Sequence, residues 1–166
     1  MIRVLVAFGS KRGSTAELAE WIGADLRSTG LDADVRNAGE VSDLTGYDAV
    51  VLGGALYMAR WARPARRFAR RHAAALRDRP VWLFSSGPLD DTADTLDIAP
   101  VKRVAAIADQ TQARGHVTFG GALSPEARGF PASAMAKKVA GDYRNRERVR
   151  DWANGVATTL GQPAMS

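Results

Sequence analysis

Apolar and polar residues alternate along the chain in blocks whose periods predict strands and helices in turn. Residues 2–8 are an almost continuous apolar run, which is typical of a buried strand. From about Thr15, apolar residues recur at helical spacing until Gly30, which ends the helix. Residues 31–36 alternate, as in an edge strand, whereas residues 49–52 are apolar throughout, as in a central parallel strand. The first third of the chain therefore predicts a strand, a helix and two more strands.

Pro64 begins the next predicted helix, which has two different faces. Phe68 and Leu76 fall on its apolar side together with His72, which we expect to be a half-buried core residue. Pro80 ends this helix. The opposite face carries the arginines Arg63, Arg66, Arg67, Arg70 and Arg71.

The rest of the chain continues the alternation and ends in a helix. A segment with three turn-forming residues, Pro125, Gly129 and Pro131, separates the last strand from that helix and reads as an insertion. With 166 residues, 46% of them apolar, we expect one domain that spans residues 1–166. The predicted elements are a fourth strand at 81–84, a helix at 101–113, a fifth strand at 116–121, the insertion at 122–145 and a helix at 146–160.

Composition removes several classes of chemistry. The chain has no cysteine, which excludes thiol catalysis, iron–sulfur clusters and cysteine-based zinc sites. Two isolated histidines do not make an ordinary metal site, so we predict no metal. No run approaches the roughly 20 apolar residues that cross a bilayer, and residue 1 leads directly into a strand, so we expect a cytoplasmic protein. Any redox chemistry must come from a cofactor.

The loop after the first strand, GSKRGST, has the composition of a phosphate-binding loop. Free N–H groups at a helix start point at a bound anion, hydroxyl side chains add donors, and Gly13 lets the backbone come close. A Walker A loop is excluded because Gly9 and Gly13 enclose three residues and Ser14 stands where the lysine belongs. A dinucleotide-binding fingerprint, G-x-G-x-x-G, is not supported either, because Lys11 stands at the position of its middle glycine. A tight turn with hydroxyl caps remains the alternative to a phosphate site.

At this loop the chain resembles the flavodoxin family. The family's phosphate loop, T/S-x-T-G-x-T, is matched at Ser10, Gly13 and Thr15, while Arg12 replaces the middle hydroxyl. The resemblance implies a flavodoxin-like doubly wound α/β fold with five parallel strands in the order 2-1-3-4-5, an insertion after strand five, and bound FMN. It places FMN in the loops after strands one, three and four. The residues implied are Ser10, Lys11, Arg12, Gly13, Ser14, Thr15, Ala55, Leu56, Tyr57, Met58, Ser85, Ser86, Gly87, Pro88 and Leu89.

The aromatic residues near these loops suggest how the flavin ring is covered. Tyr57 is the candidate to stack on one face of the ring, whereas Trp61 is expected to pack under the following helix. No aromatic residue occurs between Ser85 and Pro100, where flavodoxins often carry a second one. The other face is then covered by Pro88 and Leu89 or is open to a substrate or partner.

Within the family the chain is most similar to flavodoxin-like proteins of the type of bacterial menaquinone-dependent protoporphyrinogen IX oxidase. The similarity rests on residues 50–61, the basic helix, Gly120 and Gly121, and Trp152. It implies an FMN-dependent oxidoreductase, with a porphyrinogen-oxidase-like activity and a plain electron carrier both open. No residue is predicted to be catalytic, because the flavin carries the chemistry. A non-redox module that binds a phosphate-bearing ligand or a protein partner is the alternative from another class.

Charge bears on the partners more than on the activity. The net charge of +5 is concentrated in residues 60–79 and 144–150, which we interpret as ordinary solvated helix faces. The expected partners are a redox donor and acceptor: a reductase, a quinone or a small-molecule substrate. We expect no nucleic acid, and only weak, salt-sensitive association with anionic membranes, peripheral at the inner membrane face.

Overall fold

The computed structural model describes residues 1–10, 13–87, 98–123, 141–142 and 144–161. Five parallel strands form the sheet in the order β2-β1-β3-β5-β6. A short strand, β4, pairs antiparallel with the end of β3, so β5 and β6 are the fourth and fifth strands of the sequence prediction. The predicted order 2-1-3-4-5 is therefore confirmed. The strands are β1 (Arg3–Gly9), β2 (Asp32–Asn37), β3 (Ala49–Tyr57), β4 (Arg60–Trp61), β5 (Val81–Ser86) and β6 (Gly115–Phe119).

Helices cover both faces of the sheet, and this explains why its central strands are apolar on both sides. In β1, Val4 and Val6 pack on one face, whereas Leu5 and Ala7 pack on the other. Helices α1 and α5 cover the first face, and α2, α3 and α4 cover the second. Within the described ranges, no helix is both long and apolar enough to cross a membrane. The helices are α1 (Gly13–Ser28), α2 (Arg63–Arg71), α3 (Ala73–Arg77), α4 (Lys102–Thr111) and α5 (Arg146–Thr159), with a 3-10 segment at Ala38–Glu40.

The helix predicted after Pro64 is two helices. α2 ends at Arg71, and His72 leaves the helical region with φ −106° and ψ 15° before α3 begins. His72 is 8% exposed, so it is more deeply buried than the half-buried residue that the pattern predicted. Its ring packs on Phe68 with the centroids 4.7 Å apart. The change of direction places α3 against α4, a tertiary contact that helical periodicity does not encode.

Strand β3 is five residues longer than the apolar run that predicted it. Gly53 and Gly54 belong to the strand and not to the loop after it. A Cβ on Gly53 would lie 2.2 Å from the Phe84 ring, and one on Gly54 would lie 2.9 Å from Trp61. These glycines are there because neighbouring aromatic rings occupy the space of a side chain. β5 likewise continues through Ser86, so Ser85 and Ser86 are strand residues.

Two short antiparallel strands bracket the insertion after the fifth parallel strand. β7 (Ala122–Leu123) pairs with β8 (Gly141–Asp142). Residues 124–140, which include Pro125, Gly129 and Pro131 of the predicted insertion, lie outside the described residues. The paired ends show that the insertion leaves and re-enters the domain at one place.

Candidate functional site

The carboxyl ends of the central strands meet at one edge of the sheet. Gly9 of β1 is in register with Gly54 of β3, and Ala55 is in register with Ser86 of β5. Gly87 then donates its N–H to the carbonyl oxygen of Phe119 at 2.9 Å, which holds the loop after β5 against β6. The carboxyl ends of strands β1, β3 and β5 therefore lie together at the edge of the sheet where the sequence predicted a ligand.

Thr15 is the residue at this edge that most directly indicates a ligand. Its side chain is 0% exposed, and its Oγ1 has no hydrogen-bond partner in the part of the chain that the structure describes. It lies in the first turn of α1, and this first turn contains no acidic residue. A buried hydroxyl without a partner costs about 1–3 kcal/mol, and the N–H groups of a first helical turn also need acceptors. An anionic oxygen would satisfy both.

The neighbours of Thr15 leave room for such an anion. Gly13 begins α1, and a Cβ placed on it would meet nothing within 4 Å. Gly9, just before the loop, is packed against α2, since a Cβ there would lie 2.4 Å from the backbone nitrogen of Ala65. Ser10 and Ser14 are both half-buried at this edge. The predicted contacts Lys11 and Arg12 lie outside the described residues.

Arg144 is a residue of this site that the sequence did not single out. It comes from the end of the insertion, yet its Nη1 lies 3.4 Å from the carbonyl oxygen of Ser14 and 3.2 Å from Oε1 of Glu17. Its guanidinium stands 4.7 Å above the centroid of the Trp21 ring, and its side chain is 9% exposed. In the sequence it was one of several basic residues near residue 146. Only the fold brings it to the start of α1.

The turn after β3 is strained and exposed. Leu56 and Tyr57 pair with Trp61 and Arg60 across a two-residue hairpin turn. Both turn residues have positive φ, 52° at Met58 and 61° at Ala59, which side-chain-bearing residues adopt at a cost of about 1–2 kcal/mol each. Met58 is 78% exposed. Such strain is common where a loop must present side chains to a ligand.

The side chains at this turn divide into a buried and an accessible group. Trp61 is 1% exposed and packs with Ala65 of α2, which confirms its predicted place under the helix. Tyr57, Leu56 and Ala55 are half-buried at the end of β3. They lie at the same edge as Thr15 and remain candidates for the wall of a ring site.

Ser85 uses its hydroxyl inside the protein. Trp61 donates from Nε1 to the Ser85 Oγ at 2.9 Å, and His116 Nε2 lies 3.0 Å from the same oxygen. Ser85 is 1% exposed, so any contact with a ligand would involve its backbone. Its partner His116 was not anticipated, because the two residues are 31 apart in sequence.

The end of β5 is closely packed against the loop after β6. Ser86 is 6% exposed, and Gly87 follows it at the sheet edge. A Cβ on Gly121 would lie 2.8 Å from the carbonyl oxygen of Gly87, so Gly121 permits this approach. Pro88 and Leu89, the other residues predicted here, lie outside the described residues.

A family profile described as "Flavodoxin domain" matches residues 5–142, most of the chain and all of the loops above. The chain belongs to the flavodoxin-domain family. Family membership confirms the predicted relationship and the prediction of FMN as cofactor, and it supports redox chemistry of the FMN type in general.

Two curated relatives agree with this assignment. Protoporphyrinogen IX dehydrogenase [quinone] of Escherichia coli (strain K12) is 27% identical over 86 residues, which are 51% of this chain and 48% of that protein. Flavodoxin of Nitratidesulfovibrio vulgaris (strain DSM 19637 / Miyazaki F) is 38% identical over 56 residues, 32% of this chain and 38% of that protein. The matches thus span half or less of the length of each relative.

A solved structure agrees in fold. A cysteine-to-serine variant of flavodoxin from Pseudomonas aeruginosa superposes with a TM-score of 0.65, covering 96% of this chain and 99% of that chain at 14% identity. At this identity the likeness concerns the fold alone. The flavodoxin-domain chain therefore shares its sheet and helix arrangement with flavodoxins.

Proposed function

We propose that the chain is a single domain that binds FMN noncovalently and transfers electrons or hydride between a donor and an acceptor. The observation that carries the proposal is the buried, unpartnered hydroxyl of Thr15 at the start of α1. In a flavodoxin-domain protein, that hydroxyl is a donor for the FMN phosphate. Ser10, Gly13 and Ser14 complete the phosphate loop, together with Lys11 and Arg12.

The ring would lie at the ends of β3 and β5. Tyr57 offers an aromatic face, and Ala55, Leu56 and Met58 line the same strand end and turn. Ser85, Ser86 and Gly87 would contribute backbone groups, followed by Pro88 and Leu89. When bound, FMN supplies the redox chemistry, and the chain holds the phosphate, covers the ring and sets its polarity. No side chain is assigned an acid, base or nucleophile role.

An oxidase acting on a porphyrinogen-like substrate with a quinone acceptor is the second candidate function. The similarity to protoporphyrinogen IX dehydrogenase [quinone] favours it over a simple electron carrier. The exposed turn at Met58 leaves a surface at which a substrate or redox partner can approach the ring. Oxidation of protoporphyrinogen by the FMN-loaded protein, with and without a quinone, separates the two functions.

The cofactor itself gives the first test. The purified protein should be yellow and should release FMN, identified by chromatography against riboflavin and FAD, when it is denatured. The phosphate site predicts that FMN binds much more tightly than riboflavin, which lacks the phosphate. Equal affinity for FMN and riboflavin would show that the loop after β1 does not bind the phosphate. A colourless protein that binds neither flavin would favour the non-redox alternative.

A further inference from the structure

A groove of about 490 Å³ runs along α2. One wall is formed by Ala38 and Gly39 of the 3-10 segment after β2 and by Val41 just beyond it, and the other wall is α2. Of the residues predicted to bind FMN, none that the structure describes lines it. Its volume falls within the roughly 300–1,000 Å³ typical of small-molecule sites. The groove is therefore large enough for a ligand of its own.

The wall formed by α2 carries a stripe of cations that have no counter-ion within the described ranges. Arg63, Arg67, Arg70 and Arg71 line the groove, and all four are exposed. Among the described residues, none of the four forms an ion pair. Burial and the charges of neighbouring arginines, including Arg63 and Arg70, lower the pKa of Arg66 on the same helix. The cations thus repel one another, and an anion in the groove would offset that repulsion.

His72 lines the same groove, where α2 ends. It is 8% exposed, and its Nε2 has no hydrogen-bond partner among the described residues. Burial and the nearby Arg71 lower the pKa of His72, while Asp43 and the Val41 backbone act in the opposite direction. An anion bound beside it would raise that pKa, so His72 would report on binding.

We propose that this groove binds an elongated organic anion with at least two phosphate or carboxylate groups. The guanidinium groups suit both, because their planar N–H donors pair with oxyanions through two bonds. Arg63 and Arg70 are seven residues apart, or about 10 Å along the helix, so one ligand would place separate anionic groups near each. The groove is thus a second ligand site beside the flavin, independent of the proposed function.

The two histidines of the chain allow a direct test by NMR. The FMN-saturated protein is titrated with tripolyphosphate or with adipate, against sodium chloride at equal ionic strength. We expect a saturable shift of the His72 ring signals with a raised pKa, and little change at His116. The anion that saturates identifies the ligand as phosphate-bearing or carboxylate-bearing.

Matched variants assign the effect to the groove. Arg67→Gln should weaken binding about tenfold, as expected for the loss of one charge-assisted contact. Arg150→Gln removes the same charge from an exposed position on α5 and should leave the affinity unchanged. Because both side chains are exposed, neither change should prevent folding.

Several results would overturn the proposal. A shift of the His72 signals that does not saturate, or that sodium chloride reproduces, would contradict it. So would an equal loss of anion affinity in Arg150→Gln. Anion binding that FMN abolishes would place the anion in the phosphate loop. Sedimentation with anionic phospholipid vesicles that neither soluble anion prevents would assign the stripe to a membrane surface instead.

Discussion

Asp25 of α1 and Arg146 of α5 form an ion pair with two hydrogen bonds, 2.5 and 2.7 Å long, between residues 121 apart in sequence. Asp25 is 6% exposed, and the hydrogen bonds to it raise the pKa of the Arg146 guanidinium. The guanidinium also lies 5.5 Å from the centroid of the Trp21 ring. The pair holds the last helix beside the helix whose first turn carries the proposed phosphate site.

Asp25→Asn should therefore destabilise the protein. The amide cannot accept both hydrogen bonds, and Arg146 loses its counter-ion, so we expect the free energy of unfolding to fall by about 1–3 kcal/mol. The side chain of Arg146 is 37% exposed, which keeps the loss below that of a fully buried pair. Chemical denaturation measures it. Asp109→Asn, on the exposed face of α4, is the control and should change stability by less than about 0.5 kcal/mol.

Thr15→Val should weaken FMN binding and yet stabilise the protein without flavin. Loss of a hydroxyl donor to the phosphate is expected to reduce affinity roughly ten- to hundredfold. In the FMN-free protein the same change replaces an unpartnered buried hydroxyl by a methyl group, which should raise the free energy of unfolding by about 1 kcal/mol.

Flavin titration and thermal unfolding of the FMN-free protein measure the two effects on Thr15→Val. Thr158→Val, an exposed threonine of α5 whose hydroxyl bonds to the Asn154 carbonyl, is the control and should leave FMN affinity unchanged. If Thr15→Val binds FMN as tightly as the wild type does, the phosphate does not bind at the start of α1.

Tyr57→Ala should weaken FMN binding and change flavin fluorescence, whereas Tyr57→Phe should do neither to the same extent. The phenylalanine keeps the aromatic face, and stacking of one ring contributes about 0.5–1.5 kcal/mol, or roughly three- to tenfold in affinity. Fluorescence titration compares the three proteins. If Tyr57→Ala behaves like the wild type, another residue forms that wall of the ring site.

Ala59→Gly should stabilise the protein, because Ala59 has φ 61° in the turn after β3. Glycine adopts this conformation without the clash of a Cβ, and after its larger loss of chain entropy a net gain of about 0.5–1 kcal/mol remains. The same substitution in α3, Ala73→Gly, should instead destabilise by about 0.5–1 kcal/mol. Chemical denaturation measures both variants. A midpoint above that of the wild type for Ala59→Gly, with one below it for Ala73→Gly, would verify the strain at Ala59.

Asp34 should make the protein's stability depend on pH in the acid range. The hydrogen bond from Tyr47 is the main cause that holds the pKa of Asp34 below its ordinary value, with Arg36 and Arg3 adding to it. A carboxyl with a lowered folded pKa stabilises the fold at pH values above about 4, and this stabilisation is lost as the pH falls through the folded pKa.

Tyr47→Phe tests this dependence. It should lower the free energy of unfolding at neutral pH by about 1 kcal/mol, a small value because Asp34 is partly exposed. It should also make the free energy of unfolding fall less steeply as the pH is lowered below about 4. Chemical denaturation of the wild type and of Tyr47→Phe across this pH range measures the difference in slope. An unchanged slope would show that the arginines, and not the phenol, set the pKa.

The sequence by itself determined the fold and predicted where the cofactor loop lies. Runs such as residues 49–52 that are apolar on both sides need two covering layers, and this requirement with the alternation of helices leads to a doubly wound sheet. Residues 10–15 combine glycine and hydroxyls at a helix start, a local pattern that needs no distant partner to be recognised. These features depend on neighbours in sequence, so periodicity and loop chemistry predict them.

Only the tertiary structure decided which side chains meet. Gly53 and Gly54 lie beyond the apolar run at residues 49–52, and only the fold shows that they belong to β3 and that the rings of Phe84 and Trp61 fill the space beside them. The hydroxyl of Thr15 became informative when its burial without a partner was visible. Arg144 and the arginine-lined groove join segments that lie far apart along the chain. Such contacts depend on how whole elements pack in three dimensions, and local hydrophobic patterns carry no record of that packing.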